Sequence, residues 1–162
     1  MIVTGFTDVS PHDKADKKQT LKERIDNARL VTYTNPDIPF TVAYPEFFTI
    51  QQSHEFATTR IDFSEEEQKA KIRLAYFVEP NSEGWNVKTA YDSLGSDVEH
   101  KELHETFFIL SENRKNPCSF EKWILIEDYW FCFTLLYDKS SEDAVGRLIQ
   151  LVREWQPFPD RQ

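Results

Sequence analysis

The sequence has little glycine, few cysteines and no long apolar run. Its 4 glycines form no glycine-rich loop of the kind that holds phosphate groups. Its 2 cysteines are too few for a disulfide framework, and their separation fits neither a metal site nor a redox motif. No stretch approaches the roughly 20 apolar residues of a membrane-spanning helix. We therefore expect no membrane insertion, no bound metal and no cofactor.

The first residues also lack the features of an export signal. Residues 1–10 have neither a basic start nor an apolar stretch. As written, the sequence predicts a cytoplasmic protein. The alternative is a periplasmic or cell-envelope protein whose signal was removed upstream, because such a signal would leave no trace in the chain.

Negative charge is in excess. There are 28 acidic and 19 basic residues, and the formal net charge is -9. A chain with this balance repels phosphate groups, so nucleic acid and anionic lipid are poor partners for it. The charge favours a cationic partner, whether a protein or a small ligand. Oligomeric state does not follow from the composition.

Apolar and aromatic residues are plentiful. They make up 40% of the chain, with 13 phenylalanines, which excludes the class of disordered proteins. At 162 residues the chain has the length of one ordinary domain. We interpret residues 1–12 as a flexible leader and residues 13–162 as a single α+β domain.

Apolar periodicity predicts the order of the elements. A period of two indicates strands, and a period near 3.6 indicates helices. The fold class expected is α+β, with a central antiparallel sheet of about five to seven strands and helices packed on its faces, as in an α/β/α-like sandwich. The predicted strands are 29–34, 40–44, 59–63, 72–78, 104–111, 118–126 and 129–137, and the predicted helices are 14–28, 87–94 and 141–155.

Two short aromatic-proline segments accompany this order, Phe40-Thr-Val-Ala-Tyr-Pro45 and Trp155-Gln-Pro157. Together they resemble the fold of the photosystem II extrinsic subunit P, which is similar to that of bacterial periplasmic lipoproteins and of a Ran-binding import factor. The resemblance covers roughly residues 30–158. It implies an antiparallel sheet with helices packed on it and a binding or scaffolding role, and it transfers no functional residue to this chain.

Several residue groups suggest chemistry but have simpler interpretations. His100 and His104 would share a metal on a helix, yet on an extended segment their imidazoles stand too far apart, so we interpret them as solvated loop residues. The acidic run at 65–67 has neither the alternation nor the glycine of a calcium loop. Cys132 lies between two phenylalanines of a predicted strand, where burial would make its thiol inert.

Pairing the last two strands about Glu127 and Asp128 predicts two unlike faces of the sheet. One face carries only apolar and aromatic residues, which is the composition of a core. The other mixes indoles with a carboxylate and a hydroxyl, which suits either a helix cover or a binding surface. The core set is Phe120, Ile124, Ile126, Tyr129, Phe131, Phe133, Leu135 and Tyr137, and the candidate binding residues are Trp123, Trp130, Glu121 and Thr134.

The same register separates the two cysteines. It places Cys118 opposite Tyr137, too far along the strand from Cys132 for a disulfide. The strongly apolar last helix should pack on the core face, with Leu148 buried. The short helix 87–94 and the weakly amphipathic helix near 21–28 should cover the other face incompletely. Trp130→Ala should therefore cost less stability than Leu148→Ala and should weaken whatever the protein binds.

These patterns favour a non-enzymatic binding or accessory module of unknown specificity. One alternative is a small hydrolase or isomerase that uses carboxylates on the tryptophan-bearing face. Another is a carrier that holds a small apolar ligand between sheet and helix. A cleft with two carboxylates in hydrogen-bond reach would favour the enzyme, and an aromatic surface would favour the binding module.

Overall fold

The computed structural model describes residues 19–51, 53–65 and 70–160, which form an α+β fold with a seven-stranded antiparallel sheet and a separate two-stranded sheet. The predicted leader, 1–12, lies outside the described residues. In chain order the elements are α1 (Leu21–Asn27), β1 (Leu30–Thr34), β2 (Thr41–Pro45), β3 (Thr49–Gln51), β4 (Thr59–Glu65), β5 (Ala70–Pro80), α2 (Val87–Ser93), β6 (His100–Leu103), β7 (Phe107–Glu112), β8 (Cys118–Ile126), β9 (Tyr129–Tyr137), a 3₁₀ helix (Lys139–Ala144) and α3 (Gly146–Arg153).

Strand β9 lies in the middle of the large sheet, whose order is β3-β4-β5-β9-β8-β7-β6. The prediction of an α+β fold around an antiparallel sheet is confirmed. The bounds of β8 and β9 agree with the predicted segments because both strands are aromatic-rich and meet at a two-residue turn. In that turn Glu127 has a φ of 55°, the left-handed conformation that tight hairpins require.

The sheet differs from the prediction at its margins. β1 and β2 pair only with each other and form the small sheet. β3 and β6 were not predicted as strands, and both lie at edges of the large sheet. Edge strands are short and carry charged or polar residues, as in the His-Lys-Glu-Leu sequence of β6, so their composition is close to that of a loop.

One face of the large sheet, the core face, is covered except at the first residue of β9, where Tyr129, predicted to belong to the core, is 44% exposed. Phe131, Phe133 and Leu135 of this face belong to the main buried cluster, which also includes side chains of α1, α3 and the two-stranded sheet. The prediction that α1 lies on the other face was wrong. Leu21 and Ile25 pack into this main cluster.

Arg147 explains the position of α1. Its guanidinium donates hydrogen bonds to the carbonyl oxygens of Ile25, Asp26 and Ala28 at 2.7, 3.0 and 2.8 Å. These carbonyls lie at the carboxyl end of α1, where the last helix carbonyls lack the usual amide partner four residues further along. One cation from α3 therefore holds α1 against the core face, a contact between residues far apart in the sequence.

The last helix packs where it was predicted to pack. Val145, Leu148 and Val152 are fully buried in the main cluster, with Trp155 beside them. The predicted helix 141–155 is divided, because a 3₁₀ helix ends at Ala144 and α3 begins at Gly146. Asp138 caps the 3₁₀ helix by accepting a hydrogen bond from the Ser140 amide.

Candidate functional site

The four predicted binding residues lie on one face of the sheet, which we call the tryptophan face. The hairpin register predicted from the sequence is confirmed, with Trp123 opposite Cys132, Glu121 opposite Thr134 and Leu125 opposite Trp130. Because strand residues alternate between faces, Trp123, Trp130, Glu121 and Thr134 all project away from the core face. The neighbouring strands add Phe77 and Glu79 from β5 and Phe108 and Leu110 from β7.

Helix α2 covers part of the tryptophan face. Its N-cap residue Asn86 accepts a hydrogen bond from the Thr89 amide at 2.8 Å, which fixes where the helix begins. Val87 and Ala90, one helical turn apart, pack with Phe108 and Trp130 into a second, smaller buried cluster. No other helix belongs to this cluster in the described part of the chain. As predicted, the cover is incomplete: Trp123, Glu121 and Thr134 are half-buried.

Three aromatic rings on this face contact one another. The ring centroids of Trp123 and Trp130 are 6.4 Å apart with the planes at 74°, and Phe108 lies 6.2 Å from Trp123 and 5.6 Å from Trp130. The Trp123 ring also meets Phe77 edge-on at 5.5 Å. Such contacts hold the rings in fixed orientations, so they present a preformed aromatic surface.

Both indole N–H groups are already bonded within the protein. Trp123 donates to Glu121 Oε1 at 2.9 Å, and Trp130 donates to Asn81 Oδ1 at 3.2 Å. Asn81 also exchanges two hydrogen bonds with the backbone of Trp85, at 2.7 and 3.2 Å. Asn81 therefore ties the loop before α2 to the sheet, and the indole rings offer their carbon surfaces to a ligand.

A cleft of about 450 Å³ lies between this loop, α2 and the sheet. We call it the tryptophan cleft, because Trp85, Trp123 and Trp130 all line it. Two acidic residues, Glu79 and Glu83, are also among its lining residues. The volume falls within the roughly 300–1,000 Å³ range of small-molecule sites. Glu121 contacts the cleft only through Trp123, and neither Glu121 nor Thr134 lines it.

The structure changes the roles expected for individual residues. Trp130 is only 7% exposed, so truncating it would leave a cavity, and the expectation that Trp130→Ala is mild no longer holds. Trp85, which the sequence did not single out, is 37% exposed and lines the cleft. Nothing in the local pattern marks Trp85, because its place depends on the loop that Asn81 anchors.

A larger cleft, of about 540 Å³, lies toward the opposite end of β5 and β9. It is lined by Asp62, Lys71 and Arg73 among others, and Arg73 donates to Asp62 at 2.7 Å. We favour the smaller cleft as the functional site, since Arg73 and Asp62 of the larger one already satisfy each other while the rings of the tryptophan cleft remain available.

The two cysteines are free and buried, as predicted. Burial raises the pKa of the Cys132 thiol well above its usual value, and its sulfur lies 3.4 Å from the Thr134 hydroxyl. A thiol with a raised pKa is a poor nucleophile. Cys132 therefore contributes packing to the tryptophan face and is unsuited to covalent catalysis.

His100 and His104 form no shared site. Both are exposed; His104 stacks on Phe107 with ring centroids 4.3 Å apart and bonds to Glu102 at 2.9 Å. Among residues 19–51, 53–65 and 70–160 no group of three His, Cys, Asp or Glu side chains could hold a metal ion. Within the same ranges, no helix is both long enough and apolar enough to cross a bilayer.

Lys122 corrects the prediction that the core face is purely apolar. It lies on that face between Phe120 and Ile124 and is 5% exposed. Its ammonium donates to the carbonyl oxygens of Arg153 and Trp155 at 2.6 and 2.9 Å. Burial lowers the pKa of Lys122 to about 8. This lysine caps the carboxyl end of α3, a tertiary role with no local sequence signal.

No family model matches the chain, and no curated protein matches its sequence. Its structure is similar to the solution structure of cyanobacterial PsbP (CyanoP) from Synechocystis sp. PCC 6803, with a TM-score of 0.50 and 13% sequence identity. The match covers 78% of this chain and 90% of CyanoP. At this identity the similarity concerns the fold alone. The resemblance found in the sequence is thereby confirmed at that level: the chain has a PsbP-like fold.

Proposed function

We propose that the protein is a non-enzymatic binding or accessory module whose ligand site is the tryptophan cleft. The observation that carries this proposal is the preformed aromatic wall of Trp123, Trp130 and Phe108 beside a cleft of about 450 Å³. Ligand sites in proteins are typically concave, largely apolar and formed before the ligand arrives. The tryptophan cleft has these properties.

The difference in cover between the two faces of the sheet supports the proposal. The core face buries the main cluster under α1, α3 and the small sheet, so most of the apolar burial is achieved there. On the tryptophan face, Trp85 stays 37% exposed and Trp123 stays half-buried. Exposed aromatic residues around a cleft are typical of recognition surfaces. A binding or scaffolding role also agrees with what a PsbP-like fold implies.

The two alternatives fare differently. A hydrolase or isomerase would use carboxylates on this face, but Glu121 accepts the Trp123 indole N–H. The two glutamates that line the cleft, Glu79 and Glu83, are exposed to solvent, a setting that does not tune a carboxylate for acid–base catalysis. A carrier of small apolar ligands would use the same cleft as the binding module, so only the chemistry of the ligand separates the two. Titration with compounds of different charge distinguishes a carrier of apolar ligands from a module that binds charged ones.

Fluorine NMR of protein containing 5-fluorotryptophan offers a direct test. The chain has 4 tryptophans: three line the cleft, and Trp155 lies in the core face as an internal reference. Single Trp→Phe variants assign the four signals. The protein is then titrated with small compounds from three classes: neutral apolar, cationic and anionic.

We expect at least one class to shift the signals of Trp85, Trp123 or Trp130 saturably while the signal of Trp155 stays in place. Equal shifts of all four signals would indicate a general effect on the fold. If no class shifts the cleft signals up to the solubility of the compounds, the proposed site is wrong.

A further inference from the structure

The polar groups of the tryptophan cleft are mostly acceptors. Glu79 and Glu83 line it, and neither has an ion-pair partner within the described part of the chain. Glu79 is paired directly across the strands with Trp130, which places both side chains on the tryptophan face. Both glutamates are exposed, so both are available to a ligand at the mouth of the cleft.

Most side-chain hydrogen-bond donors at the cleft already donate to other groups of the protein. The indole N–H groups of Trp123 and Trp130 and the amide of Asn81 all donate within the protein. Ser93 donates to the Ala90 carbonyl at 2.6 Å. None of the described residues that line the cleft is a lysine, arginine or histidine. Of the described side-chain donors that line the cleft, only the Trp85 indole N–H and the Ser82 hydroxyl are not used in this way, and neither carries a charge. An anionic ligand would meet two carboxylates and no cation among these lining residues, so the cleft disfavours it.

Two lysines, one on α2 and one whose ammonium lies over an α2 ring, are already engaged. Lys88 of α2 forms an ion pair with Asp92 at 2.6 Å. Lys101 of β6 lies over the ring of Tyr91, 4.5 Å from its centroid. The second contact is a cation–π interaction between β6 and α2, close to the cleft and of the kind that aromatic walls can offer a ligand.

Aromatic rings and peripheral carboxylates together define a ligand chemistry. A metal ion or primary ammonium is strongly hydrated and gains little from apolar walls, since it must first lose water. An alkylated ammonium carries its charge on methyl groups that can contact ring carbons, and aromatic cages bind such groups by cation–π attraction. The two glutamates would add long-range attraction without having to lose their own hydration.

Building on the proposed function, we propose that the tryptophan cleft binds a small organic cation bearing an alkylated ammonium group. Trp85, Trp123 and Trp130 contact the alkyl groups, and Glu79 and Glu83 supply the counter-charge. The overall negative charge of the chain, -9, raises the local concentration of such a cation.

The test uses the fluorotryptophan-labelled full chain and two matched probes. One probe is choline, and the other is 3,3-dimethylbutan-1-ol, in which carbon replaces the charged nitrogen. We expect choline to shift the cleft signals but not that of Trp155, and to bind about tenfold more tightly than the neutral probe. Added salt should weaken choline binding and leave the neutral probe unchanged.

Two charge variants complete the test. Glu79→Gln with Glu83→Gln removes the proposed counter-charge, and we expect it to weaken choline by roughly three- to tenfold without affecting the neutral probe. Glu142→Gln with Asp143→Asn removes the same charge from the 3₁₀ helix and should leave choline binding unchanged. All four side chains are exposed, and an unmoved Trp155 signal reports an intact fold.

Three results of these titrations would overturn the cation inference or the site itself. Equal affinity for choline and the neutral probe would show an apolar site, which overturns the cation inference and leaves the proposed function standing. Choline binding that both charge variants weaken equally reflects net charge alone and also overturns the inference. If neither these probes nor compounds of the other classes shift the cleft signals, the site itself is wrong.

Discussion

The two faces of the large sheet are built from alternate residues of the same strands, yet they are covered very differently. The core face packs against α1, α3 and the two-stranded sheet, and its central residues Phe133 and Leu135 are almost fully buried. The tryptophan face has α2 and the loop before it, and Trp123 and Thr134 stay half-buried. One face accounts for most of the apolar burial, while the other keeps aromatic surface available for recognition.

Each face also contains a polar group in an apolar setting, and each is satisfied differently. On the core face, the Lys122 ammonium donates to two carbonyl oxygens at the end of α3. On the tryptophan face, Glu121 accepts a single indole N–H from Trp123. The first group is enclosed and the second remains partly hydrated. Removing the Lys122 ammonium should therefore lower the free energy of unfolding more than removing the Glu121 carboxylate, because buried groups left without partners cost the most.

The largest expected effect lies within the tryptophan face itself. Trp130→Ala should lower the free energy of unfolding by about 3–5 kcal/mol, since it empties a buried site under α2. Trp85→Ala should cost less than about 1 kcal/mol because Trp85 is partly exposed. Urea denaturation of both variants measures the difference. Similar losses for both would show that burial on this face is more uniform than the structure indicates.

The core face gives the next largest effect. Leu148→Ala should cost about 2–5 kcal/mol, because Leu148 is fully buried between α3 and the sheet. Ile149→Ala is the matched control, since Ile149 is only half-buried at the next position of the same helix. Urea denaturation should rank Leu148→Ala well below Ile149→Ala in stability. The reverse order would mean that α3 is rotated about its axis.

The sequence predicted well those features that depend on neighbouring residues. The register of β8 and β9 followed from one tight turn and the alternation around it, and so did the common face of Trp123, Trp130, Glu121 and Thr134. The buried stripe of α3, with Leu148 at its centre, followed from helical periodicity. Such patterns persist because a shift of one residue would reverse buried and exposed side chains.

Features that depend on distant contacts were not predictable in this way. α1 lies on the core face because Arg147 holds its carboxyl end, and Lys122 is buried because the end of α3 supplies two carbonyls. Neither arrangement has a local pattern. β6 was missed because its residues are those of a charged edge strand. Trp85 and Glu79 join the site only through the Asn81 loop and the pairing of β5 with β9.

Substitution of Lys122 should have an intermediate effect on the free energy of unfolding. Lys122→Met keeps the length of the side chain but leaves the carbonyls of Arg153 and Trp155 without their donor. We expect a loss of about 1–3 kcal/mol at pH 7 by urea denaturation. Lys122→Arg should recover part of it. A methionine variant as stable as the parent would show that burying the ammonium costs as much as its hydrogen bonds contribute.

The stability difference between the parent and Lys122→Met should change with pH in a definite direction. Burial lowers the pKa of Lys122 to about 8 in the folded protein, whereas the unfolded chain should retain a lysine pKa near 10.5. Between these values the unfolded state binds more protons, so unfolding becomes less favourable as the pH rises. The stability of the parent relative to Lys122→Met should therefore increase between pH 8 and pH 10. A constant difference would contradict the lowered pKa.

The smallest expected effect is at the rim of the core face, where Glu102 of β6 accepts two hydrogen bonds from Arg153 at 3.0 and 3.1 Å. These bonds, followed by the one from His104, lower the pKa of Glu102 below its ordinary 4.5. Because the side chains of Arg153 and Glu102 are 39% and 30% exposed, Glu102→Gln should cost only about 0.5–1 kcal/mol at pH 7. Glu105→Gln, which changes a neighbouring exposed carboxylate, should lower the free energy of unfolding by less.

Acid should abolish the difference between the parent and Glu102→Gln. A carboxylate whose folded pKa is lowered adds stability above its unfolded pKa, and this stability is lost as the pH falls through the folded value. Urea denaturation from pH 7 down to pH 3 should show the two proteins converging. Lys122→Met should stay less stable than the parent over this range, because the Lys122 ammonium of the parent, with a pKa of about 8, stays charged there. If the Glu102→Gln difference persists at low pH, the contact stabilises the edge of the core face through packing and not through charge.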